Sequence, residues 1–393
     1  MRLLPSLVTF PYLFIGNVGL AQIPPTAAPQ KQAALDLPLA KETDDGFQVP
    51  SPHPKFQFPR DHGSHPDFKI EWWYLTGHLF GPQNERLGYQ ATFFRRSGPK
   101  TPVPSSHSER FRSDEIHLFH AALLDERTGT FLHQEQLLRT GWNAQSSATK
   151  LSVQIGDASL RAGETDPELF LLESHIRDEA HFNLQLRPTK PLVVFGKDGI
   201  SRKGDSPTAA SWYLTFPRLR TEGSLRIGSR TIPVHGETWM DHEISSSQLT
   251  GEQSGWDWAG IQFEDGREIM TYRLRRKDGS TDPASSLSWV SADGKTTQYS
   301  AQEFRWEADG KWKSPHTSAQ YPLPVRLTCT DPATGTPVEF LLKPIALDQE
   351  LGGSKSGLAY WEGACRVLRD GKVVGSAYVE LTGYSNDLSE RLK

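Results

Sequence analysis

Two cysteines in 393 residues are too few for a disulfide scaffold, and neither stands in a Cys-x-x-Cys or Cys/His zinc spacing. Cys329 and Cys365 sit in strand-like runs, and the sequence leaves their pairing open. The net charge of −4, with no long basic run, gives no electrostatic case for nucleic acid. There is no Gly-x-Ser-x-Gly elbow, so a serine hydrolase is unsupported even though Ser245-Ser246-Ser247 follow an acidic block. His-Glu-x-x-His and facial-triad spacings are also missing, and neither a metal nor a cofactor is expected. Stretches with helical period are scarce, the best being short, Leu132 to Leu138.

One apolar run is long enough to matter. Leu3 to Leu20 follows Met1-Arg2, is broken by Pro5, Pro11 and Asn17, and ends in Gly19-Leu20-Ala21. Its small residues suit cleavage after Ala21, so residues 1–21 read as a secretory signal peptide and the chain as exported, periplasmic or extracellular. No cysteine follows, which leaves a lipoprotein anchor unsupported. Residues 22–55, rich in Pro, Ala, Gln and Lys, read as a flexible leader.

The remainder alternates with period two. Ile70–Phe80 puts Glu71, Trp73, Leu75 and Leu79 on one face and Trp72, Tyr74, Thr76 and His78 on the other. Gly81-Pro82-Gln83-Asn84 turns it into Leu87–Arg95, and Ile116–Leu124 returns as a further strand. Shorter strands follow through Ile227. Past residue 245, Asp265-Gly266, Asp293-Gly294, Asp309-Gly310 and Asp370-Gly371 each read as hairpin turns. The fold class is therefore all-β, with two antiparallel domains, 56–245 and 246–393, as closed barrels or as sandwiches.

The densest chemistry lies in PVHGETWMDHEISSSQLTGEQSGWDWAGIQF, residues 233–263. If Val234–Ile244 is extended, Glu237, Trp239, Asp241 and Glu243 share one side, and Met240 and His242 the other. Acids beside indoles invite a raised pKa.

These blocks, with FPRDHGSHPDFKIEWWYLTGHL (58–79), HLFHAALLD (117–125) and GSAYVELTGY (375–384), resemble secreted bacterial proteins of the AttH and carotenoid 1,2-hydratase (hydroxyneurosporene synthase) family. The resemblance spans roughly residues 56–385. It implies two lipocalin-like β-barrel domains and an apolar substrate in an aromatic cavity between or within the barrels. It also implies relatives that hydrate a terminal isoprenoid double bond or cyclise by Diels–Alder-type reactions. Around Tyr272 the chain reads TYRLRR, lacking the acid that the hydratases carry beside that tyrosine.

Hydrating an alkene requires an acid able to protonate carbon, a face that stabilises the cation, and a placed water. Asp241 or Glu71 is the candidate acid, His242 the candidate partner of the water, and Trp73, Trp239, Trp256, Trp258 and Tyr272 the candidate ligand-binding aromatics. The competing structural readings are an ion pair or cap for Asp241, a structural hydrogen bond for His242, and pairing of Glu71 with an arginine such as Arg95. Three functions follow from these residues. The first is binding of an apolar ligand, lipid or isoprenoid-like, the second a hydratase or isomerase acting on such a ligand, and the third a non-catalytic protein with an envelope or transporter partner.

Overall fold

The computed structural model describes residues 38–98, 100, 115–353 and 355–385. The expected signal peptide and the first part of the expected leader lie outside these residues. Where the leader is described it is not loose: Phe47 and Val49 are buried, and Glu42 bridges to Gln48. The folded part therefore begins before Phe56, because two apolar side chains in the Pro-rich stretch find a core to enter.

Ile70–Phe80 pairs with Arg86–Arg96 as a hairpin, Tyr74 opposite Thr92. The two longest strands, Ala210–Ile227 and Arg230–Ser247, pair with each other. The second of them returns to Ile70–Phe80, with Tyr74 opposite Asp241 and Trp73 opposite His242. Thirteen strands form this sheet, and ten more, from Gln253–Phe263 to Lys372–Leu381, form another. Each sheet curls into an antiparallel barrel. In the first, the edge strand Thr130–Arg139 meets the far side through side chains, Gln134 and Gln136 lying 3.2 and 3.1 Å from His175 Nε2.

Two local expectations are corrected. Leu132–Leu138 is not helical; it lies within Thr130–Arg139, paired along its length with Ile116–Asp125. An available partner strand decides the structure of this mixed segment, since β-propensity depends on context. Asp309-Gly310 follows Arg305–Ala308, but that strand pairs with Val325–Asp331 rather than with the strand after the turn. The other Asp-Gly pairs do close hairpins, with Gly266, Gly294 and Gly371 at φ of 79°, 85° and 76°.

Both lumens are packed. Trp73, Phe93, Phe119, Phe170 and Phe182 fill the first, and Trp289, Phe340, Trp361 and Tyr321 the second. Cys329 and Cys365 belong to the second core as free, buried thiols. Burying one large apolar side chain contributes about 1.5–3 kcal/mol, so filled lumens stabilise the barrels at the expense of interior space for a ligand.

The outer faces meet instead. Tyr74, Tyr213 and Trp239 of the first barrel pack against Trp258, Met270, Tyr272 and Tyr378 of the second. Gly88 permits the approach, since a Cβ there would lie 2.6 Å from the Ala364 Cβ. His78 Nε2 lies 3.2 Å from the Ala377 carbonyl across the seam.

Candidate functional site between the barrels

A cavity of about 550 Å³ opens beside this seam, within the size range of small-molecule sites. On the first barrel, strand register sets its wall in rows. The outermost row is Arg96, Ile70 and Ile116, and the next is Phe94, Trp72, Leu118 and Leu137 with Glu243. The innermost row is Thr92, Tyr74, His120 and Asp241. The second barrel supplies Trp256, Trp258, Tyr272, Leu274 and Glu380, and Leu358 and Tyr360 close one side. The middle of the cavity is thus apolar and its inner end polar.

Asp241 is a hydrogen-bond hub. Tyr213 Oη donates to its Oδ2 at 2.7 Å, while Trp239 Nε1, at 2.8 Å, and Thr215 Oγ1 donate to Oδ1. Burial pushes its carboxyl up to about 7 against the pull of these donors. Among the described residues Glu380 has one donor, Trp256 Nε1 at 2.8 Å to Oε2. Burial, with Asp241 and Glu243 nearby, pushes it too up to about 7. Its cross-strand neighbour Glu362 accepts from Tyr74 Oη at 2.6 Å, and its second oxygen is buried without a partner among the described residues. Burial first, then Glu380, raise Glu362 well above the usual carboxylate range. Lys203 lies across the site, its Nζ 2.7 Å from Glu243 Oε1 and above the rings of Tyr213 and Tyr272.

A second polar group stands on the same wall. Tyr360 Oη lies 2.6 Å from His120 Nδ1, and His120 Nε2 lies 3.4 Å from Glu135 Oε1. Burial opposes ionisation of Glu135, but bonds from His120, Ser356 and Lys355 hold it down at about 2. The phenol of Tyr360 is raised by burial and by Glu362 and Glu380, so it stays protonated, and its oxygen lies between His120 Nδ1 and Gln90 Nε2, which donates to it at 3.4 Å.

The residues singled out in the sequence divide between two places. Asp241, Trp256, Trp258 and Tyr272 line the cavity, and Trp239 backs it by holding Asp241 and packing edge-on against Trp258. Glu71, His242 and Trp73 lie on the opposite face of the same strands, inside the first barrel. There Glu71 Oε1 lies 2.8 Å from His242 Nε2 and 2.9 Å from His65 Nδ1, Oε2 takes Arg95 Nε at 3.1 Å, and Trp73 stacks on His242. Burial works against ionisation of Glu71, yet the two histidines and Arg95 hold it below the usual range. It is a paired carboxylate away from the cavity, so the expectations of Glu71 as the acid, of His242 as the partner of the water and of Trp73 as a ligand-binding aromatic are corrected. The ligand-type atoms of His65, Glu71 and His242 lie within 4.8 Å of one another. Arg95 places its own positive charge against that carboxylate, and the geometry is that of a hydrogen-bond network. Glu380, Glu362, Lys203, His120 and Tyr360 were missed. The usable signal for Glu380 was a lone acid in an otherwise apolar strand, Ala377 to Leu381.

The AttH-like family model matches residues 49–384. The chain belongs to the AttH-like family. The crystal structure of an AttH from Nitrosomonas europaea superposes on this AttH-like chain with a TM-score of 0.75 at 32% identity, over 85% of this chain and 98% of the other. Kievitone hydratase from Nectria haematococca gives 0.63 at 17% identity, over 89% of this chain and 99% of its own, a likeness of fold. Ceramide-binding protein svf1 of Aspergillus fumigatus is 23% identical over 175 residues, 43% of this chain and 39% of that protein's length.

Proposed function

We propose that this AttH-like chain binds an apolar ligand, lipid or isoprenoid-like, in the cavity between its barrels. One observation carries the reading: an apolar middle of Phe94, Trp72, Leu118 and Trp258 leads to a polar inner end, while both lumens are filled. Such a wall solvates a hydrocarbon chain and holds one polar group. A relative named for ceramide binding and another named as a hydratase fit a ligand of this kind. The expected setting is outside the cytoplasm, with an envelope or transporter partner receiving the ligand. Native mass spectrometry of protein purified from its source, followed by lipid extraction, tests the reading. An apolar compound should co-purify and should quench tryptophan fluorescence when added back. Neither effect with a series of lipids and isoprenoids would defeat it.

A second reading is hydration or isomerisation of such a ligand, and Glu380 favours it. A carboxyl raised to about 7, facing two indoles, is suited to protonating an alkene carbon. Asp241, with both oxygens occupied, is the weaker donor. The proton would pass from Glu380 to carbon, water would add its oxygen to the resulting cation, and the proton shed by that water would return to the Glu380 carboxylate. Incubation with farnesol in oxygen-18 water should yield a labelled hydrate that E380Q fails to form. No label from the wild type would overturn this reading for that substrate.

A further inference from the structure

The inner end of the cavity is unbalanced in charge type. Asp241, Glu362 and Glu380 stand on or directly behind its wall and Glu243 one row out, with Lys203 beside Glu243 and His120, in the row of Asp241, engaged by Tyr360 and Glu135. Lys203 is already engaged, because Glu243 Oε1 accepts it at 2.7 Å and Gln248 Nε2 also donates to that oxygen at 3.1 Å. The other cations on the cavity wall do not change this. Arg95 is consumed by Glu71, Glu115 and the carbonyls of His65 and Phe68. Arg96 lies in the outermost row, beside Ile70 and Ile116, two rows from Asp241. Lys355, on the segment with Leu358 and Tyr360 that closes one side, is exposed to solvent, where water already hydrates its charge.

A ligand carboxylate at that end would meet acids whichever way they titrate. Ionised, they repel it; protonated, they bring no positive charge to pair with it, and an unpaired buried charge is costly. A hydroxyl meets complementary groups. Glu380 Oε2 accepts from Trp256 alone among the described residues, so the carboxyl has acceptor capacity left for a ligand hydroxyl. We infer that the cavity selects an apolar chain ending in a neutral hydroxyl over the same chain ending in a carboxylate, and that Glu380 is the residue that discriminates. The inference rests on the ligand-binding reading above and names the chemical class that the site takes.

The test uses matched probes, farnesol and farnesoic acid, displacing Nile red from the full chain at pH 7.5. Farnesol should bind at least tenfold more tightly than farnesoic acid, and E380Q should bring the ratio to threefold or less. Equal or tighter binding of the acid by the wild type overturns the selectivity while leaving ligand binding intact. An unchanged ratio in folded E380Q removes Glu380 as the discriminating residue. Failure of Nile red and both probes to bind defeats the ligand-binding reading, and this inference with it. The wild-type comparison stands even if E380Q does not fold.

Discussion

Glu71 and Glu380 are both acids set among aromatic side chains, and they do opposite things. Glu71 sits inside the first barrel, surrounded by Arg95, His65 and His242, with both oxygens engaged. Glu380 faces the cavity with Trp256 as its donor and other acids as its neighbours. Burial beside indoles is common to both, so it does not mark a functional carboxyl. What separates them is counter-charge: a matched acid is a strut, and an unmatched one retains chemistry to offer.

The largest effect should come from breaking the matched cluster. Arg95→Met leaves Glu71 buried without its cation and is expected to cost about 3–5 kcal/mol in urea unfolding. A smaller cost would mean that the histidines alone satisfy Glu71.

pH should separate the two acids by sign. Glu71 is held below its unfolded value, so its contribution is present above the ordinary carboxylate pKa and is lost as pH falls below it. Glu380 is raised, so stability should decline as pH rises from 4.5, the ordinary value, towards about 7. The loss is roughly 2 kcal/mol after allowing for the contact of Glu380 with the cavity. Asp241 and Glu362, raised as well, add declines of the same sign, so E380Q should remove only the share of Glu380 while leaving the acid-side loss, which unfolding curves at stepped pH would show. A decline unchanged in E380Q would assign all of it to Asp241 and Glu362.

Smaller effects probe the cavity wall. A Cβ on Gly260 would lie 2.7 Å from Trp258 Cη2 and 3.1 Å from Trp239 Cδ2. Gly260→Ala should therefore cost about 1–2 kcal/mol by overpacking and should weaken Nile red binding by displacing the Trp258 ring. Retained probe affinity would place the bound probe away from Trp258. Trp142, 94% exposed on a turn of the first barrel, is the control. Trp142→Ser should change stability by less than about 0.5 kcal/mol and leave Nile red affinity as it was.

The faces of the strands were legible in the sequence, and they carried much of the fold. Alternation through Ile70–Phe80 and Val234–Ile244 sorts Trp73 and His242 from Tyr74 and Asp241, as the register shows. Adjacent residues of a strand face opposite ways, so His242 turns away from Asp241, and only the pairing register places Glu71 on the face of His242. The segment Leu132–Leu138 was unreadable because its period is mixed and its partner strand decides it. The rest of the site was hidden for a topological reason. Lys203, His120, Tyr360 and Glu380 come from separate strands and a loop, brought together only when two outer faces meet, and no spacing along the chain encodes that meeting.

The central claim is that the ligand occupies the space between the barrels rather than either lumen. Photolabelling with a diazirine-bearing farnesyl alcohol, followed by peptide mass mapping, tests it most directly. The account predicts labels on Phe94, Leu118, Trp256 and Trp258, competed away by farnesol. Labels concentrated on lumen residues such as Phe170 or Trp289 would contradict it.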